Sequence, residues 1–132
     1  MRRSRIALAL CALGAMLAIA TVAQARYIAS YDLIVPRMNG NAYTSTLSKV
    51  NTSRAVDSNT SNGGGYTMYT AVFHPNTTRV TPWYDLASGS RVYVAYNSGQ
   101  NLVGTAYRLG HSNRLSTLVS VQSRGSWSPD ER

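Results

Sequence analysis

From residue 26 onward, apolar and polar positions alternate with a period of two in short runs separated by Gly, Asn, Ser and Pro. The clearest run is residues 89–97, where Val92, Val94 and Tyr96 fall on one face of an extended strand and Arg91, Tyr93 and Ala95 on the other. This run reads as a core strand. Residues 26–35 predict a first strand closed by Pro36, and residues 38–41 a turn built from residues that tolerate positive φ. Residues 42–50 predict a polar strand at an edge or on a solvated face. Residues 51–65 are the loosest stretch, with only Ala55-Val56 as a short strand and Gly63-Gly64-Gly65 as a closing turn. Residues 66–73 are apolar on both faces, which predicts a central strand.

The same grammar continues to the C-terminus. His74-Pro75-Asn76 predicts a turn, residues 79–81 a short extended segment, and Pro82-Trp83-Tyr84-Asp85 a loop carrying two adjacent aromatics. Strands are predicted at residues 102–109 and 115–122, separated by a turn at 110–113, before Gly125-Ser126-Trp127-Ser128-Pro129 and a charged tail. Seven or eight strands at a spacing of about ten residues, with no helical window among them, predict an all-β antiparallel sandwich of immunoglobulin-like or jelly-roll type.

The N-terminal segment has a different character. Arg2, Arg3 and Arg5 precede an apolar run over residues 6–20 and an Ala23-Gln24-Ala25 cleavage site, the three parts of a secretory signal peptide. Residues 1–25 are thus expected to be removed, leaving residues 26–132 as one secreted, extracellular domain with no stable membrane span. Cys11 leaves with the signal, so the mature chain is cysteine-free and can form no disulfide or thiolate metal site.

Loss of Arg2, Arg3 and Arg5 takes the formal charge from +8 to +5. All the remaining cations but Lys49 are arginines, and they are scattered, as solvated strand faces would place them. A guanidinium pairs with carboxylate or phosphate through a fixed fork, so an anionic polymer of the envelope or the extracellular space is the expected partner, rather than nucleic acid.

Catalytic groups are few. His74 and His111 both sit in expected turns, no Gly-x-Ser-x-Gly elbow marks a nucleophile, and His74, His111 and Asp85 lack metal-ligand spacing. The chain is therefore read as non-enzymatic, with no cofactor and no metal. The aromatic residues are the stronger lead. Nine tyrosines and two tryptophans accompany a single Phe, so most aromatic rings carry a polar handle and can sit half in water. The expected ligand site is Trp83, Tyr84 and Asp85 with Arg79, and Trp127 as a further contact or as the plug of one end of the core. The expected function is a secreted binding module for a glycan or anionic polymer. The alternative is a secreted bacteriocin-like antagonist or enzyme inhibitor acting on an anionic target, in which case the partner is a protein target.

Residues 41–45 (Asn-Ala-Tyr-Thr-Ser), Gly64-Gly65-Tyr66, Gly89-Ser90, Tyr93-Val94-Ala95-Tyr96, Arg108-Leu109-Gly110 with Asn113, and Val119-Ser120-Val121 through Gly125-Ser126-Trp127-Ser128-Pro129-Asp130 carry a resemblance. In these pieces the chain resembles a group of small exported Gram-positive proteins known only as a domain of unknown function. That resemblance implies a secreted β-sandwich, in some cases bacteriocin-like, and no catalytic residues.

Overall fold

The computed structural model describes residues 25–132, so the expected signal segment lies outside the described residues except for Ala25. The fold is an antiparallel β-sandwich. One sheet has the order β1 (Ala29–Val35), β9 (Val121–Ser128), β4 (Ala55–Asn62), β7 (Arg91–Val94). The other has the order β2 (Asn41–Tyr43), β8 (Ala106–Asn113), β5 (Met68–Phe73), β6 (Tyr84–Leu86), with the two-residue β3 (Leu47–Ser48) also paired to β8. No helix among the described residues is long and apolar enough to cross a membrane.

The inner faces form two apolar clusters. Tyr31, Ala55, Val72, Val80, Val94, Tyr107, Leu109 and Trp127 make the larger, and Val35, Met68, Leu86 and Val121 the smaller. A polar band lies between them, as the strands themselves show: inward positions run Met68, Thr70, Val72 along β5 and Val121, Ser123 and then Trp127 along β9. Asp57 is the centre of this band. Its Oδ1 accepts from the Tyr31 hydroxyl at 2.7 Å, and its Oδ2 from Thr70 Oγ1 at 2.8 Å and His111 Nε2 at 2.7 Å. Tyr31 and Asp57 belong to one sheet and Thr70 and His111 to the other, so a single carboxylate ties the layers together. The Asn59 amide extends the band to the Tyr31 oxygen, Asn62 and Ser123.

This band explains the largest departure from the expected strands. Residues 55–62 are an eight-residue strand at the middle of a sheet, where only Ala55-Val56 looked extended. Beyond Ala55 and Val56 its buried positions are Asp57, Asn59 and Asn62, whose polarity resembles a loop until their hydrogen-bond partners are known. A register shift between Asn59 and Ser61 lets both Asn59 and Asn62 face inward.

Glycines account for the next departure. The expected strands at 102–109 and 115–122 lie further along the chain, as β8 and β9, and each runs straight through a glycine. Gly110 is required because a Cβ there would stand 2.4 Å from the Phe73 ring. At Gly125 a Cβ would stand 2.3 Å from the Ser58 carbonyl oxygen and 2.6 Å from the Tyr31 hydroxyl. Both are places of close approach within a sheet, not turns. Within the expected run 66–73, residues 68–73 form a central strand, β5, with β8 and β6 on either side. The run at 89–97 keeps its expected faces, with Val94 buried and Tyr93 exposed, but β7 pairs only with β4 and is an edge.

Lys49 corrects the expectation that the cations are solvated. It is 1% exposed, and its ammonium donates to Asp130 Oδ1 and Pro129 O at 2.9 Å each and to Ser53 O at 2.5 Å. Asp130 Oδ2 also accepts from Val50 N at 2.8 Å, and the Tyr96 hydroxyl donates to Pro129 O at 2.8 Å. These bonds replace the water the ammonium loses and fasten the C-terminal tail to the loops after β3. Burial pulls the Lys49 pKa down, against the opposing pull of Asp130.

Candidate functional site

The outer face of the second sheet is built from cross-strand rows. Antiparallel register aligns Asn41, Ser112, Tyr69 and Asp85 in one row. The next row holds Tyr43, Gly110 and Ala71, and a third pairs Arg108 with Phe73. Gly110 and Ala71 make a low floor. The Tyr43 and Phe73 rings close over it edge to face at 5.1 Å, and Trp83, just before β6, packs on Phe73 at 5.5 Å. Tyr69 stands 6.3 Å from Trp83.

Tyr69 and Trp83 together with Asn39, Asn41 and Ser112 line an open concavity of about 340 Å³. One wall is aromatic and the other is amide and hydroxyl. Three arginines overlie the aromatic residues: Arg79 lies 5.3 Å from the Trp83 ring centre, Arg108 5.1 Å from Tyr43, and Arg114 5.6 Å from Tyr69. Arg108 is held by Thr44 O and Pro75 O, and Arg114 pairs with Asp85 at 3.2 Å. Arg79 makes no ion pair among the described residues. Cations therefore outnumber carboxylates on this face.

Trp83 and Arg79, expected from sequence, thus come together here, and Asp85 lies on the rim. Tyr84 does not. It follows Trp83 by one residue, points inward, and its oxygen accepts from Ala95 N at 3.3 Å. Trp127 is 1% exposed inside the opposite sheet, so it plugs the core and is not open to a ligand. The residues that sequence reasoning missed, Asn39, Asn41, Tyr43, Tyr69, Arg108, Ser112 and Arg114, are far apart in the chain. Only strand pairing makes them neighbours. Their one local signal is alternation, which sets Tyr69 opposite in face to Met68 and Thr70.

Comparison with protein-family models, curated proteins and solved structures found no match.

The histidines occupy two unlike environments. His74 stacks on Tyr107 at 5.4 Å with its Nε2 3.2 Å from Gln100 Oε1. His111 is fully buried against Asp57, with the edge of Tyr31 against its ring at 4.9 Å. Among the described residues no group of three or more His, Cys, Asp or Glu is placed to hold a metal. Burial, then the Asp57 charge, pushes the Tyr31 hydroxyl well above its ordinary pKa; burial does the same to Tyr96. Both tyrosines are structural donors. A smaller aromatic and cationic group lies on the first sheet, where Arg54 and Arg91 approach the exposed Tyr93 ring to 4.7 and 5.5 Å. Arg54 there is paired with Glu131 at 2.8 Å.

Proposed function

We propose that the protein is an exported binding module without catalytic activity that holds an acidic glycan on the outer face of the second sheet. Tyr69 and Trp83 stack on the C–H faces of sugar rings, and Asn39, Asn41 and Ser112 exchange hydrogen bonds with hydroxyls. Arg79, Arg108 and Arg114 pair with carboxylate or phosphate substituents. The single observation behind this reading is the concavity with one aromatic wall and one amide wall, with Arg79 and Arg114 against its aromatic residues and Arg108 against the neighbouring Tyr43. The +5 charge of residues 26–132 favours a second reading, a secreted antagonist or inhibitor drawn to an anionic target. Growth inhibition of bacteria by the purified protein at low salt would favour it.

Retention of residues 26–132 on insoluble acidic polysaccharide tests the first reading. Trp83→Ala is expected to weaken retention roughly tenfold or more, as for truncation of an aromatic anchor, while Trp83→Phe keeps most of it. Unaltered retention by a folded Trp83→Ala protein would remove the site.

A further inference from the structure

At one end of the sandwich the β1–β2 loop, residues 36–40, and the β8–β9 loop, residues 114–120, run side by side. Met38 N donates to Thr117 O at 2.9 Å and Asn113 N to Gly40 O at 3.3 Å. The Asn113 amide donates to Val35 O and Pro36 O at 2.9 and 3.0 Å. Within the loops, Gly40 N donates to Arg37 O and Thr117 N to Arg114 O. These bonds tie the two loops to each other and to the strand ends.

The side chains on this end are the reverse of what a solvated loop carries. Met38 is 49% exposed, Leu115 64%, Leu118 67% and Val119 48%, with Ile34 at the end of β1 61%. Neither loop contains an acidic residue; Arg37 lies beside the tip of one, and Arg114, beside the tip of the other, is paired with Asp85 of β6. A two-fold contact between copies of this chain at this end would bring together loops that carry arginine and no carboxylate. An anionic surface with an apolar layer beneath it satisfies both features.

We propose that this loop pair docks the protein onto an anionic phospholipid bilayer. Leu115, Leu118 and Met38 enter the boundary between headgroups and acyl chains, and Arg37 remains among the phosphates. The surface adjoins the aromatic concavity, with Asn39 and Arg114 at the boundary, and differs from it in its exposed aliphatic side chains. The test variants below leave every residue of the concavity in place, so failure of one proposal is separable from failure of the other.

Residues 26–132 contain every strand and both apolar clusters of the described residues and serve as the test protein. They are expected to co-sediment at low salt with vesicles of phosphatidylglycerol and phosphatidylcholine, and weakly or not at all with phosphatidylcholine alone. Leu118→Asp is expected to lower partitioning roughly tenfold, and Arg37→Gln roughly fivefold. Leu118 is solvent-exposed, so its substitution leaves the melting temperature in place and reports on docking alone. Equal binding to neutral vesicles, or unaltered partitioning of Leu118→Asp, would overturn the proposal. So would sedimentation velocity showing a dimer that Leu118→Asp dissolves, without vesicle binding; that result would assign the surface to a second copy.

Discussion

Asp57→Ala is expected to lower the free energy of unfolding by about 3–5 kcal/mol, the cost of breaking a buried charged network. Three donors from three strands, Tyr31, Thr70 and His111, end on this one carboxylate, and Asp57 and His111 are both fully buried. Removing it leaves all three without their acceptor in a space that contains little else to satisfy them. The loss also falls on the join between the sheets. Against a typical domain stability of about 5–15 kcal/mol, much of the molecule would lie near its unfolding midpoint. Asp57→Asn is expected to recover only part, because one amide position is a donor facing donors. Urea unfolding of the variants measures both effects. A loss below about 1 kcal/mol for Asp57→Ala would show that the donors find other partners and that the band does not hold the layers together.

Alkaline pH is expected to unfold the protein through Tyr31 and Tyr96. Each has a folded-state pKa raised above the ordinary phenol value, so each contributes stability that is fully present below about pH 10 and is lost as pH rises further. The slope is about 1.4 kcal/mol per pH unit for each group, or nearly twice that for the pair. Lys49 acts in the opposite sense. Its folded-state pKa is lowered, so its contribution rises with pH between that lowered value and the ordinary lysine value near 10.5, and then levels off. Above that point the tyrosines act alone. Phenolate absorbance followed together with far-ultraviolet circular dichroism should show a late ionisation step that coincides with unfolding. In the Tyr96→Phe protein that step should shrink and the alkaline slope should flatten. Ionisation of every tyrosine with the fold intact would contradict the burial of both hydroxyls.

The fold class was legible because the sandwich keeps its period-two alternation almost everywhere, and the faces of residues 91–96 follow from it directly. Strand positions were less legible for two physical reasons. Asp57, Asn59 and Asn62 are inward residues that a hydrophobic pattern cannot recognise, since what makes them core is a set of partners on other strands. Gly110 and Gly125 look like turn signals, yet their missing side chains make room for Phe73 and for the Ser58 backbone. The candidate site was half legible on similar grounds. Trp83 and Arg79 are near one another in the chain, so their pairing could be expected. Tyr69, Asn41 and Ser112 meet only through the order β2, β8, β5, and Tyr84 departs because it opens β6 with its side chain packed against the core.

Amide chemical-shift mapping of residues 26–132, titrated with a soluble acidic oligosaccharide, tests the proposed glycan site most directly. Saturable shifts at Asn41, Tyr69, Trp83, Ser112 and Arg114, with the first sheet silent, are the predicted result. Shifts centred instead on Tyr93 with Arg54 and Arg91, or none on the second sheet at saturating ligand, would contradict it.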